Sequence, residues 1–148
     1  MHFLQTQLLR VTPDIPLNPK TAEDVGLSLA LGTYELSPWQ FTQLRRTFLP
    51  EAAAPGYEQQ RQAIIDILRT PSNKLVSFGQ DNFLSPHGRA VKTGTSRKFI
   101  DGWICGAQTS QQLTACIRLG NYNNEPMLGA SSEVGSYLWD LVVKAIGE

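Results

Sequence analysis

The chain has 148 residues, of which 41% are hydrophobic and 18% charged, so it reads as one folded domain or part of one rather than a disordered tract. Lys plus Arg and Asp plus Glu stand at 13 each, and no net field points to nucleic acid or a membrane surface. No apolar run reaches the ~20 residues of a membrane span, and two cysteines with two histidines are too few for a disulfide scaffold or a zinc site, so neither metal nor other cofactor is implied.

Residues 1–24 hold one short apolar patch and then Pro13, Pro16 and Pro19, which predicts an irregular start and an extended linker. Met1–Leu9 lacks a charged leader and a long apolar core and does not read as a signal peptide. Gly26–Gly32 alternates small and apolar residues and suits a short buried segment, with helix as the competing reading. Ser37-Pro38-Trp39-Gln40 is a helix start: Ser37 caps, Pro38 fits the first turn and Gln40 completes a capping box. That helix is expected to bury Phe41, Leu44 and Phe48, to leave Arg45 and Arg46 outside, and to stop before Pro50.

A second helix is predicted from about Tyr57 to Arg69, with Ala63, Ile64, Ile67 and Leu68 as its stripe. Pro71 is read as its stop, and residues 71–89, rich in turn formers and carrying His87, are expected to form a long loop. Three strands follow, at 89–95, 102–107 and 113–119, the last two joined by a turn at Thr109–Gln112. A final helix over Glu133–Ile146 is expected to face the sheet with Val134, Leu138, Leu141, Val142 and Ala145. Counting back from the turn sets Cys105 directly opposite Cys116. Two buried small side chains are the preferred reading of that pair, over a cross-strand disulfide.

The first strand carries the chemistry. In Ala90-Val91-Lys92-Thr93-Gly94-Thr95-Ser96, Lys92 offers a positive charge and Thr93, Thr95 and Ser96 offer short hydroxyls. Gly94 removes a side chain, so a ligand backbone can lie against the strand. That combination suits a carboxylate on a peptide-like ligand, and Lys-Thr-Gly is one of the motifs of penicillin-binding proteins and class A β-lactamases.

With its neighbours, this stretch resembles the transpeptidase domain of class A penicillin-binding proteins of the 1C-like type, over about Val25 to Ile146. The resemblance rests on Gly26–Gly32 and Glu35–Pro38, on Asp66-Ile67-Leu68 with Pro71, and on Phe78-Gly79 with Asp81-Asn82. It continues through Ala90–Ser96, Asp101-Gly102-Trp103 with Gly106, and Leu119-Gly120-Asn121-Tyr122 with Pro126-Met127. It implies an α/β fold of the α+β type over 25–148, part of a penicillin-binding transpeptidase: helices, a three-stranded antiparallel sheet, then a C-terminal helix. It also implies peptidoglycan stem peptide and β-lactams as ligands, and a periplasmic or extracellular setting with a membrane anchor in an upstream segment. By position, Lys92 would face the donor carboxylate and tune the proton relay. Thr93 and Thr95 would bind the carboxylate, and the Thr95 N–H would be one oxyanion donor.

The family's nucleophile is missing from these residues. No serine here has lysine three residues on, and no Ser-x-Asn occurs. The chain alone is therefore expected to be inactive, and to be the C-terminal part of the domain. A binding module for stem peptide or for a cell-wall enzyme is the alternative, and a remnant without activity is a third reading. The strand at 113–119 would be left as a sheet edge through which copies self-associate.

Overall fold

The computed structural model describes residues 36–50, 55–80, 82, 84, 89–129 and 131–147. Expectations for residues 1–35 and for His87 fall outside them. The chain divides into two units, Met1–Leu44 and Arg45–Glu148. Among described residues the architecture is α+β: helices, a three-stranded antiparallel sheet and a C-terminal helix.

Helix α1 spans Pro38–Arg45 and starts on the expected capping box. The Gln40 N–H donates to Ser37 Oγ at 3.1 Å, and the Ser37 N–H donates to Gln40 Oε1 at 2.8 Å. Its buried positions are Gln40 and Gln43, whereas Phe41 and Leu44 are only half-buried. A 3₁₀ turn, Arg46–Phe48, continues the chain. Arg46 is exposed as expected, but Arg45 is half-buried and its guanidinium lies 5.3 Å from the centre of the Phe48 ring.

Helix α2 spans Glu58–Arg69, but its inward line differs from the expected stripe. Ile65 is buried, Arg61 and Leu68 are half-buried, and Ile64 and Ile67 are exposed. The helix packs against the first strand, and Arg61 Nη1 donates to Phe48 O of the 3₁₀ turn at 2.9 Å. The predicted loop over 71–89 is corrected in its first half: Pro71–Phe78 form helix α3. Pro71 does end α2, since Thr70 is extended, but a proline is equally suited to opening the next helix. Gly79, at φ 78°, closes α3 in a conformation that glycine adopts without strain.

The sheet is β1 (Ala90–Thr95), β2 (Asp101–Gln108) and β3 (Leu113–Gly120), in that order. The β2–β3 register places Cys105 opposite Cys116, as the turn predicts. The preferred reading of two free side chains is corrected, because the two form a disulfide with Cα atoms 4.2 Å apart. This close approach belongs to a non-hydrogen-bonded antiparallel pair, where facing Cα atoms come nearest.

Helix α4 spans Ser131–Gly147 and lies on the sheet, but rotated from the expected face. Ser131, Gly135, Trp139 and Val143 are buried, while Val134 and Leu141 are exposed. Small residues decide this. A Cβ on Gly102 would lie 2.6 Å from the Ser131 Cβ, and one on Gly106 would lie 2.6 Å from the Trp139 ring. These glycines let the helix axis approach β2 and leave the slot that Trp139 fills. Leu84, Val91, Ile104, Trp139 and Val143 form the core, with Phe78, Leu113, Ala115 and Ile117 against it.

Candidate functional site

The five sequence-derived site residues lie at one end of β1, a terminal strand of the described sheet. The Ser96 N–H donates to Asp101 O at 2.8 Å, which fixes the phase of the β1–β2 ladder. Antiparallel alternation then turns the N–H and C=O of Lys92 and Gly94 toward β2, and those of Val91, Thr93 and Thr95 toward the outer edge. Side chains alternate in the other sense. Val91, Thr93 and Thr95 share the α4 face, and Lys92 lies on the opposite face beside Cys105 in the register.

Lys92 and Gly94 are exposed. The Lys92 Nζ donates to Thr93 O at 2.5 Å, and because that carbonyl points outward, the ammonium sits at the outer edge of the strand. A Cβ on Gly94 would meet nothing within 4 Å, so the space beside it is open. No described residue requires glycine there for packing. The Thr93 hydroxyl is half-buried and has no hydrogen-bond partner among the described residues. An extended ligand along this edge would be flanked by an ammonium on one side and by the Thr93 hydroxyl on the other.

Thr95 and Ser96 are committed within the chain. Thr95 Oγ1 lies 2.9 Å from Ser131 Oγ, and Ser131 Oγ also donates to Gly94 O at 3.1 Å. Ser96 Oγ accepts from the Asp101 N–H at 2.8 Å and so closes the β1–β2 turn. That turn carries Lys98 and Phe99 at positive φ, and Phe99 O accepts from the Met127 N–H at 2.8 Å. Ser131 escaped the sequence reading. Its Ser-Ser-Glu context reads as an ordinary helix start, and its partners lie 36 and 37 residues away.

The root of β1 is anchored by a buried ion pair that sequence reading also missed. Arg89, immediately before β1, pairs with Asp140 of α4, both side chains being almost fully buried. Its guanidinium also lies 5.6 Å from the centre of the Trp139 ring. Lys144 Nζ reaches the other Asp140 oxygen at 2.8 Å. Burial pushes the Asp140 carboxyl up, but the Lys144 hydrogen bond and the Arg89 and Lys144 charges outweigh it and hold the group below its ordinary value. On α3, Lys74 is buried with one weak bond, Nζ to Leu84 O at 3.4 Å. Burial first, and then the charges of Arg69 and Arg89, bring its amine down to about 8.

No protein-family model, curated protein or solved structure matches the chain. Among the described residues no cluster of His, Cys, Asp and Glu could hold a metal ion, and no helix is long and apolar enough to cross a membrane.

Proposed function

We propose that this chain is the C-terminal part of a peptidoglycan D,D-transpeptidase, contributing the carboxylate-binding strand to an active site whose serine comes from residues outside these 148. The observation that carries the reading is the outer edge of β1. There an ammonium, an open glycine, an unpartnered Thr93 hydroxyl and outward backbone groups of Thr93 and Thr95 converge on one line. In this scheme the donor peptide lies along β1 and its carboxylate faces Lys92. The Thr95 N–H takes part in stabilising the oxyanion formed when the serine attacks the D-Ala carbonyl. The serine ester that results is resolved by an amine of a neighbouring stem peptide, and β-lactams occupy the same line.

A fluorescent penicillin tests the assignment. The chain alone should give no covalent band on a denaturing gel. Adding an upstream fragment with Ser-x-x-Lys should give a band on that fragment, reduced at least tenfold by Lys92→Ala. A band on this chain that is abolished by mutating one of its own serines would overturn the reading, as would restored acylation indifferent to Lys92. The second reading, a non-catalytic module for stem peptide or a cell-wall enzyme, draws on the same edge without acyl transfer. It gains if the chain binds a D-Ala-D-Ala peptide while no upstream fragment restores acylation.

The other edge of the sheet bears on assembly. In the β2–β3 ladder, Cys105 and Cys116 form a non-hydrogen-bonded pair, so the backbone groups of Thr114, Cys116 and Arg118 point outward from β3. Such an edge is a template for another strand. We therefore expect self-association through 113–119, read by size exclusion with light scattering over a dilution series and reduced by Thr114→Pro, which removes an outward N–H and leaves the β2–β3 ladder intact. A chain that stays monomeric at every concentration would remove this part of the proposal.

A further inference from the structure

The hydrogen bonds around Ser131 fix where the Thr95 proton goes. A serine hydroxyl has one proton to give, whereas a carbonyl oxygen only accepts. The 3.1 Å bond to Gly94 O therefore uses the Ser131 proton, and the 2.9 Å contact with Thr95 runs with Thr95 as donor. The hydroxyl proton of Thr95 points back toward α4, and its oxygen presents lone pairs outward. A carboxylate only accepts and gains nothing from that oxygen. Thr93, two residues earlier on the same face, has no partner for its proton among the described residues.

We propose that Ser131 is a positioning residue that withholds the Thr95 hydroxyl from anionic ligands, so that in the resting strand Lys92 and Thr93 alone hold the carboxylate. The proposal rests on reading β1 as a carboxylate site. Ser131 itself has little freedom to turn away. It is 1% exposed, stands at the first position of α4, and its Cβ occupies the space that a side chain at Gly102 would need. Any release must come from Thr95, at the exposed end of its strand, turning about its own side-chain bond. Carboxylate binding through Thr95 then exchanges one internal hydrogen bond for one to the ligand, and the net worth of such a bond corresponds to about three- to tenfold in affinity.

The test is a titration of the full chain, followed by amide NMR, with N-acetyl-D-alanyl-D-alanine and with its C-terminal amide. Ser131→Ala should bind the carboxylate ligand about three- to tenfold more tightly than wild type and leave the amide ligand unchanged. In a Thr95→Val background, Ser131→Ala should change neither. Equal or weaker carboxylate binding by a folded Ser131→Ala overturns the inference, and so does a gain that persists without the Thr95 hydroxyl. Should Ser131→Ala not fold, the strand variants decide. Thr95→Val should match wild type and Thr93→Val should bind about tenfold more weakly, whereas a loss at Thr95→Val means its hydroxyl was already donating. The Thr95 side-chain rotamer provides a readout without ligand. Three-bond couplings should report one χ1 state in wild type and averaging in Ser131→Ala, and averaging already in wild type refutes the Ser131 bond by itself. No carboxylate-dependent shift in any variant, with a single Thr95 rotamer in wild type, would instead bring down the reading of β1.

Discussion

Asp140→Asn should be among the most destabilising single substitutions in the chain, costing about 3–5 kcal/mol. The carboxylate accepts from Arg89 and Lys144, and Arg89 is too deeply buried to find water once its counter-charge is removed. Such a loss is large against the ~5–15 kcal/mol total typical of a domain. Lys144→Met, by contrast, removes a half-exposed partner and should cost under ~1 kcal/mol. Replacing both buried partners, Arg89→Met with Asp140→Leu, should recover much of the loss, because no stranded charge remains. Urea unfolding of the four proteins measures this. An Asp140→Asn loss no larger than that of Lys144→Met would mean that the buried pair does not anchor β1 to α4. The pH dependence has a fixed sign. The folded Asp140 carboxyl lies below its unfolded value near ~3.9, so its contribution is complete above that value. It is lost as pH falls through the folded value, and Asp140→Asn should lack that acid-side step.

The three strands and their register were legible because alternation and a four-residue turn leave little freedom. With Thr109–Gln112 as the turn, Cys105 can only face Cys116. Whether two facing thiols join is a matter of backbone approach, which residue order does not state. The α4 face differs from the expected one for a related reason. A stripe is judged by its large apolar members, whereas the helix settled on Ser131 and Gly135 because Gly102 and Gly106 admit a close approach. Pro71 was ambiguous by chemistry, since proline both stops one helix and opens the next. At the site, Lys92, Thr93 and Gly94 could be picked out from their types alone. The commitments of Thr95 and Ser96 could not, because Ser131 and Asp101 come to them only through the fold.

Lys74→Met should stabilise the chain at pH 7, by up to about 3 kcal/mol. Lys74 is 3% exposed, bonds weakly to one carbonyl, and has no carboxylate partner among the described residues. Arg69 and Arg89 add positive charge around it instead. At neutral pH the folded state therefore carries a cation it solvates poorly, and a methionine of similar length fills the same space without that cost. The amine lies at about 8 when folded and returns to its ordinary value of 10.5 when unfolded. Between those values the unfolded chain binds the proton and the folded chain does not, so stability rises with pH across that window. Below it both states are protonated and the full penalty is present. Thermal unfolding of wild type and Lys74→Met from pH 6 to 10 separates this from other titrations, since tyrosine ionisation affects both proteins alike. The wild type should gain on the variant above pH 8, and the difference should close toward pH 10. A methionine variant less stable than wild type at pH 7, or one whose pH profile runs parallel to it, would mean that the Lys74 ammonium is well solvated or paired in the folded chain.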